Sequence, residues 1–254
     1  MNVSNIAIWV GIAAGICAIL GINLILVIRA IRSKVGYIRI RRYNAYFVRG
    51  DILSCYKNPA CKRLGLPIST QQDAEPSELK TTGKVQRFQG NEEDKDTKVK
   101  DAKRKCVLIG ASIYKGSKYA ACPVYGKIGY CYEKEGGSGG RLGFPITYEA
   151  DAATSPQKTS GRVQRFEGRG DGATISHKGR TIKGVSIYSS KHGTYPVWGV
   201  TGRCFEKNGG SGKPLGFPIS KEEKISDAPK TWRQRFVGGT IICVSGQDPK
   251  ITYN

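Results

Sequence analysis

Few residues in this chain have the types and spacing that catalysis requires. The 254-residue sequence contains only two histidines, His177 and His192, and neither lies in a metal-ligand pattern. Two Gly-Gly-Ser-Gly segments lack the Lys-Ser or Lys-Thr that follows in a phosphate-binding loop. Glu133 and Glu206 occupy equivalent places in a repeat, whereas an acid and base pair needs unlike environments. We therefore predict that the protein is not an enzyme and needs no metal or other cofactor.

The eight cysteines do not follow a metal or redox spacing either. Cys17 lies in an apolar N-terminal segment, and no two cysteines form the Cys-x-x-Cys pattern of a zinc knuckle or a thioredoxin-like site. Seven cysteines remain, and an odd number of cysteines cannot all pair within one domain. We predict free, buried thiols in a reducing compartment, with disulfides between some of them as the alternative if the domain is exported. These seven are Cys55, Cys61, Cys106, Cys122, Cys131, Cys204 and Cys243.

The N-terminal segment is suited to a membrane. Residues 1–28 contain no charged side chain, and residues 6–28 are apolar except for Asn23. As a helix, this run would be about 35 Å long, which is enough to cross a hydrocarbon core of about 30 Å. We predict one transmembrane helix, in which Gly11 and Gly15 form a Gly-x-x-x-Gly face for contact with a second helix.

A cluster of cations directly follows this helix. By the positive-inside rule it predicts an N-terminus outside and a C-terminal module on the cytoplasmic or interior side. The same cations would lie against anionic headgroups at the membrane surface. They are Arg29, Arg32, Lys34, Arg39, Arg41 and Arg42.

Three copies of one motif dominate the rest of the chain. Leu-Gly-Leu-Pro-Ile-Ser begins at Leu64, Leu-Gly-Phe-Pro-Ile-Thr at Leu142 and Leu-Gly-Phe-Pro-Ile-Ser at Leu215. Each copy continues to a Gln-Arg-Phe element, and each is preceded by Val-x-Gly and then by a cysteine and an aromatic residue. The first copy lacks the Gly-Gly-Ser-Gly segment, which is typical of a degenerate terminal repeat.

The copies predict a fold of short strands. Their β-branched and aromatic runs are bounded by Gly and Pro. We expect Gly143 and Gly216 to supply unusual backbone torsions, and Phe166 and Phe236 to anchor the core. One copy is too small to bury both of its faces, so three must pack side by side. The prediction is a mainly β module of three repeats with Gly and Pro turns, with a short helix after each Leu-Gly-Phe-Pro element.

The chain is thereby divided into eight segments. They are a tail at 1–5, the transmembrane helix at 6–28, a basic juxtamembrane segment at 29–43, a degenerate first repeat at 44–91, a charged linker at 92–105, a second repeat at 106–172, a third repeat at 173–246 and a C-terminal tail at 247–254.

These motifs resemble the LGFP repeat family over most of the chain after residue 44. The resemblance rests on Leu-Gly-Phe-Pro, on Gln-x-Phe and on the following Gly and Ile at 172–175 and 239–241. In the first copy, Leu66 replaces the Phe. The family occurs in wall-associated and secreted bacterial proteins, including mycolyltransferases and cell-wall hydrolases. The resemblance implies attachment to envelope polysaccharide.

The net charge of +21 predicts an acidic partner. Arg87, Arg165 and Arg235 recur beside the Phe of each Gln-Arg-Phe element. We expect them to bond a carbonyl or carboxylate inside the module, with binding of a ligand or partner as the alternative.

Aromatic residues at repeated positions offer flat faces to sugar rings. Tyr125 and Trp198 are candidates for ligand binding, and so are Tyr132 and Phe205, for which packing is the favoured interpretation.

Three functions remain compatible with the sequence. The first is a structural tether in which the basic module attaches a membrane to an adjoining layer or large assembly, such as a protein shell or a virion with an internal membrane. Its partners would be the lipid bilayer, an acidic protein surface and neighbouring subunits. The second is an anchor that binds envelope polysaccharide. The third is non-specific binding of nucleic acid by the basic surface, which no motif supports. The densest basic run of the sequence comprises Lys98, Lys100, Lys103, Arg104 and Lys105. We interpret this run more simply as a solvated linker between the first two repeats.

Overall fold

The computed structural model describes most of the C-terminal module, and the predicted membrane segment lies outside the described residues. The described backbone comprises residues 38–41, 44–90, 98–101, 106–109, 111–169, 174–177, 180–183 and 185–254, with side chains in 46–90, 111–169 and 185–254. Residues 6–28, with Gly11 and Gly15, lie outside this part, as do Arg29, Arg32, Lys34 and Arg42. Within the described part, no helix has the length and apolar character needed to span a bilayer.

The described elements are mostly short strands. In chain order the strands are β1 (Ile38–Arg41), β2 (Asn44–Phe47), β3 (Gln72–Asp73), β4 (Gly83–Arg87), β5 (Lys98–Asp101), β6 (Cys106–Ile109), β7 (Ser112–Gly116), β8 (Ala121–Val124), β9 (Ala150–Ala152), β10 (Gly161–Arg165), β11 (Thr174–His177), β12 (Arg180–Lys183), β13 (Ser186–Ser190), β14 (Gly193–Val197), β15 (Glu223–Asp227), β16 (Lys230–Phe236), β17 (Gly239–Val244) and β18 (Lys250–Tyr253). The α-helices are α1 (Gly50–Tyr56), α2 (Gly126–Lys134) and α3 (Gly199–Lys207). Short 3-10 helices follow them at Pro59–Leu64, Gly137–Gly139 and Gly210–Gly212.

Three four-stranded antiparallel sheets form the framework of the described module. Their strand orders are β3-β4-β7-β8 in the first sheet, β9-β10-β13-β14 in the second and β15-β16-β17-β18 in the third. The pairs β1-β2, β5-β6 and β11-β12 form separate two-stranded hairpins. The prediction of a mainly β module of short strands is confirmed.

The charged regions of the sequence fall partly in these hairpins. Arg39 and Arg41 lie in β1, and Lys98 and Lys100 lie in β5, within the predicted linker at 92–105. Lys103, Arg104 and Lys105 lie outside the described residues.

Consecutive copies of the motif share a sheet. The Gln-Arg-Phe strand of the first copy, β4, pairs with β7 of the second copy, so that Arg87 lies opposite Ser112. Strands β10 and β13 repeat this arrangement, with Arg165 opposite Ser186. In the third copy, β16 pairs with β17 of the same copy, and Arg235 lies opposite Thr240. Neither the first nor the second sheet can therefore form from one copy alone.

The helices precede the Leu-Gly-Phe-Pro elements, so the prediction of a helix after each element was wrong. Each helix begins at the glycine of Val-x-Gly. After each Leu-Gly element, the proline forms an isolated antiparallel bridge with the phenylalanine of Gln-Arg-Phe, for example Pro145 with Phe166. Proline favours extended geometry in the residue before it, and this bridge keeps the segment extended. The expected left-handed torsions are present, because Gly143 and Gly216 both have a φ of 66°.

The core alternates between helices and sheets along the array. The first cluster of buried side chains joins α1 to one face of the first sheet, and the second joins the opposite face of that sheet to α2 and the second sheet. The third cluster lies among the second sheet, α3 and the third sheet. In each copy the aromatic residue of the helix stacks on the phenylalanine of Gln-Arg-Phe. The ring centroids are 5.1 Å apart for Tyr56 and Phe88, 4.9 Å for Tyr132 and Phe166, and 4.7 Å for Phe205 and Phe236.

The predicted packing roles of four aromatic residues are confirmed. Phe166 and Phe236 are core residues, and Tyr132 and Phe205 are completely buried.

A glycine in each shared strand provides room for the next copy. A Cβ atom on Gly161 would lie 2.6 Å from the ring of Phe217 and 2.2 Å from the carbonyl oxygen of Ser189. Gly83 has the same relation to Phe144 of the second copy, at 2.6 Å. The third sheet has Thr231 at this position, and its neighbouring strand β17 comes from the same copy.

We expect Gly161→Ala to destabilise the module, because the added methyl group overlaps backbone and ring atoms that cannot both move away. The free energy of unfolding should fall by roughly 3 kcal/mol, compared with about 1 kcal/mol or less for Thr231→Ala at the matching position of the third sheet. Chemical denaturation of both variants measures the difference. Equal losses in the two variants would contradict this account of the contact between copies.

Candidate functional site

The first shared strand ends in a buried charged cluster. Arg87, at the end of β4, forms an ion pair with Glu133 of α2 and donates to Ser112 Oγ over 2.8 Å. The hydroxyl of Tyr114 donates to Oε1 of the same Glu133 over 2.7 Å. The guanidinium carbon of Arg87 lies 5.6 Å from the centre of the Tyr114 ring. The carboxylate of one copy is thus held by an arginine of the preceding copy.

The second shared strand repeats this cluster. Arg165 Nη2 donates to Glu206 Oε2 over 3.0 Å, and its Nη1 donates to Ser186 Oγ over 3.1 Å. Tyr188 donates its hydroxyl to Glu206 Oε1 over 2.7 Å. We call these two clusters the Arg-Glu-Tyr joints.

The electrostatics of the joints favour fixed structure over proton transfer. Burial, followed by the charge of the adjoining glutamate, raises the pKa of Tyr114 and of Tyr188 well above the ordinary value. Burial opposes the charge on Arg165, but the bond and charge of Glu206 outweigh it, so the pKa of Arg165 is raised. Each joint therefore keeps a neutral tyrosine and a charged arginine near neutral pH.

The glutamine of each Gln-Arg-Phe element makes a second connection. Gln164 Nε2 donates to the carbonyl oxygens of Pro123 and Thr147, both over 2.9 Å. Gln86 and Gln234 make equivalent pairs of bonds, at 2.9 to 3.0 Å. Each side chain joins the strand before the helix to the loop after Leu-Gly-Phe-Pro. Among the described residues, no partner is present for their buried Oε1 atoms.

Arg235 differs from its two counterparts. Its backbone N–H donates to Ser220 Oγ over 3.1 Å, but its side chain is exposed and forms no ion pair within the described part of the chain. Strand β17, which pairs with β16, belongs to the same copy and carries Ile242 where β13 carries Tyr188. Of the three arginines, Arg87 and Arg165 are thus bonded inside the module, and Arg235 faces solvent.

The candidate aromatic residues lie at the helix starts. Trp198 immediately precedes α3, and its Nε1 donates to Glu222 Oε2 over 2.9 Å. The guanidinium carbon of Arg141 lies 4.6 Å from the centre of its ring. Tyr125 precedes α2 under Arg63, at 5.5 Å. Only 7% of Tyr125 and 8% of Trp198 are exposed, so neither ring offers an open face.

A pocket of about 420 Å³ adjoins Tyr125. Its wall carries Glu149, which accepts from Arg162 Nε over 2.8 Å, and also includes Lys127. Glu149 occupies the position that Glu222 occupies in the third copy. The smaller Tyr125 makes no equivalent of the Trp198 bond in the described structure. Side chains of both positive and negative charge line the pocket beside it.

Several residues that form these contacts were not predicted from the sequence. Arg63 and Arg141 both precede Leu-Gly, and Glu149 and Glu222 both lie two residues after the Ser or Thr that ends the motif. This repetition was the available signal. It does not reveal that each arginine covers the aromatic residue of the next copy, because that pairing follows from the shared sheets.

The remaining chemistry of the described residues is limited. His192 Nε2 lies 3.4 Å from Thr159 Oγ1, and His177 ends β11. Within the described part, no group of three or more His, Cys, Asp or Glu side chains could hold a metal ion.

Compared with models of known protein families and with curated proteins, the chain matches none of them. The resemblance to the LGFP repeat stays a prediction that rests on the motifs.

We expect Arg165→Lys to lower the stability of the module, although it preserves the charge. Lysine cannot reach Glu206 and Ser186 together as the planar guanidinium does. The loss should be about 2 kcal/mol, measured as a lower melting temperature, because a hydrogen bond to a buried charged group is lost. Arg235→Lys is the matched control and should leave the melting curve unchanged. An unchanged curve for Arg165→Lys would exclude a structural role for the joint.

Proposed function

We propose that this protein is a non-enzymatic tether with a single N-terminal transmembrane helix, and that its basic repeat module attaches the membrane to an adjoining layer or large assembly. Such a layer would be a protein shell or a large complex, including the shell of a virion with an internal membrane. The observation that carries this proposal is the exposed arginine at the end of the array.

Arg235 occupies a position whose binding preference is known from the two joints. At the equivalent positions, Arg87 and Arg165 each hold a glutamate of the following copy. Arg235 has the same backbone setting, next to a buried glutamine and phenylalanine, but its guanidinium is exposed. A carboxylate from a partner could occupy the place of the missing glutamate. This supports an acidic protein surface as the partner.

A second copy of the chain does not fit this position. The first repeat has Lys57, directly after the end of α1, at the position of Glu133 and Glu206. Joining the first repeat of one molecule to the third sheet of another would bring Lys57 against Arg235. Like charges at such a contact repel, which favours a different, acidic partner.

The rest of the same sheet face is also modified. Strand β16 carries Arg233 where β10 carries Val163, and β17 carries Ile242 where β13 carries Tyr188. Arg233 pairs with Glu223 at 2.7 Å, and both residues are partly exposed. The face thus combines a half-buried apolar strip with cations, a combination suited to a polar protein interface.

The proposed topology has the N-terminus outside and the module on the cytoplasmic or interior side. The native cysteines of the described module are mostly buried, so a reporter thiol is needed. Gln247→Cys places one in an exposed turn after β17. We expect a membrane-impermeant maleimide to label it only after the membrane is permeabilised, in comparison with the unsubstituted chain. Labelling of intact membranes would reverse the topology.

The docking face can be tested with a photo-crosslinking amino acid at Thr240, which is opposite Arg235. In membranes from the native source, we expect an adduct with an acidic protein, reduced at least about tenfold by Arg235→Glu, since the charge contact becomes repulsive. Arg235→Lys should retain the adduct. A crosslinker at exposed Lys62, on the first repeat, is the control for random contact. Adducts that ignore Arg235→Glu, or that contain only this chain, would refute an acidic partner at this face.

Polysaccharide binding is the alternative, and the pocket beside Tyr125 favours it. The pocket has a carboxylate and cations in its wall, which are groups that hydrogen-bond sugar hydroxyls. Under this alternative, Lys127→Glu would weaken co-sedimentation with isolated envelope polysaccharide and Arg235→Glu would not. The tether predicts no such co-sedimentation. Nucleic-acid binding would instead appear as a steep dependence of affinity on salt concentration.

A further inference from the structure

Two thiols of the first repeat lie in contact. Cys55 lies in the last turn of α1, and Cys61 lies in the following 3-10 helix. Their sulfur atoms are 3.7 Å apart, and both side chains are almost fully buried. A disulfide bond requires a sulfur separation of about 2.0 Å, so a modest rotation of the two side chains separates this contact from a covalent bond.

Cys55 is held in a setting suited to a thiolate. The hydroxyl of Tyr148, which comes from the second copy, donates to Cys55 Sγ over 3.2 Å. The hydrogen bond from Cys61, together with that of Tyr148, lowers the pKa of Cys55 despite its burial. The pKa of Cys61 is raised, first by its bond to Cys55 and then by burial. The two thiols therefore have different roles available, one as a nucleophile and the other as a proton donor.

A surface groove gives access to this pair. The groove has a volume of about 570 Å³, and Cys55 and Tyr148 both line it. Lys115, Lys118 and Asp51 lie along the same groove, and Lys115 Nζ is 3.7 Å from the Asp51 carboxylate, so the lining carries a net positive charge. A small anionic molecule could therefore reach the Cys55 sulfur.

The other copies provide an internal comparison. Cys131 of α2 and Cys204 of α3 occupy the position of Cys55, but neither copy has a cysteine equivalent to Cys61. Burial raises the pKa of Cys131 to about 12. The conserved cysteine position is thus a packing position, and the first repeat adds a second thiol and a groove.

We propose that Cys55 and Cys61 form a dithiol site that undergoes thiol–disulfide exchange with a low-molecular-weight anionic disulfide, with Cys55 as the attacking thiol and Cys61 as the resolving thiol.

The exchange has two steps. The Cys55 thiolate attacks one sulfur of the small disulfide, forms a mixed disulfide and releases a thiolate, which takes up a proton. Cys61 then loses its proton to solvent and attacks the Cys55 sulfur, which releases the second small thiolate. In total, two protein thiols are oxidised to one disulfide, and one small disulfide is reduced to two thiols. The bond links α1 to the 3-10 helix next to it.

The test uses the full chain in detergent and glutathione disulfide as the probe. Peptide mass spectrometry should find a Cys55–Cys61 disulfide, and Cys61→Ser should stop the reaction at a glutathione adduct on Cys55. In the reduced protein, iodoacetamide should modify Cys55 at least about tenfold faster than Cys131, because hydrogen bonds lower the pKa of Cys55 whereas burial raises that of Cys131. Tyr148→Phe should slow modification of Cys55 and leave Cys131 unchanged.

The groove has a separate test. Lys118→Glu should slow oxidation by glutathione disulfide, which is anionic, but not by cystamine, which is a cationic disulfide. Equal modification rates of Cys55 and Cys131 in the folded protein would overturn the proposal, and so would a disulfide that joins Cys55 to Cys122 instead of Cys61.

Discussion

The array depends on one constraint, which is that a partly buried arginine needs a carboxylate that its own copy does not supply. The side chains of Arg87 and Arg165 are 13% and 27% exposed at the ends of their strands, and the almost fully buried glutamates that neutralise them come from the helix of the next copy. Removing one partner from such a buried pair typically costs about 3–5 kcal/mol. The sharing of sheets, the placement of Tyr114 and Tyr188 and the order of helices all accompany this contact. A single copy would expose half a sheet and an unpaired charge, so the copies are expected to fold together.

The same constraint explains how the array ends. At the C-terminal end, Thr231 replaces the glycine that would admit another phenylalanine, and Arg233 replaces a half-buried valine, Val163. At the N-terminal end, Lys57 occupies the position at which Glu133 and Glu206 bind an arginine of the preceding copy. Terminal repeats with a polar outer face are a general requirement for soluble repeat arrays. Solubility of the outer face does not explain Arg235. Any polar residue would serve that purpose, yet an arginine occupies the position that Arg87 and Arg165 have in the two joints.

The sequence predicted the parts of the fold that each copy determines by itself. The torsion of Gly143, the burial of Phe166 and the short strands follow from residue type and repetition. The helix position was not predicted, because a run such as 126–134 carries glycines, which weaken a helix, and aromatics, which are typical of strands. The sequence also did not predict that an arginine of the preceding copy covers Tyr125 and Trp198. Repetition shows which positions are equivalent, but it does not show that a strand pairs with the following copy instead of its own.

The first repeat differs from the others because it has no predecessor. In the second and third copies, Ser138 and Ser211 donate to carbonyl oxygens of the preceding copy, at Glu75 over 2.7 Å and at Ala153 over 2.8 Å. The first repeat lacks both the serine and its acceptor, and a longer 3-10 helix containing Cys61 fills the space beside α1. This segment also contacts more distant parts of the chain, because Gly90 N–H donates to the carbonyl oxygen of Leu64 over 2.9 Å and Arg63 lies over the Tyr125 ring. A covalent link between Cys55 and Cys61 would join this segment to α1 through a short loop, and it would act mainly by restricting the unfolded chain.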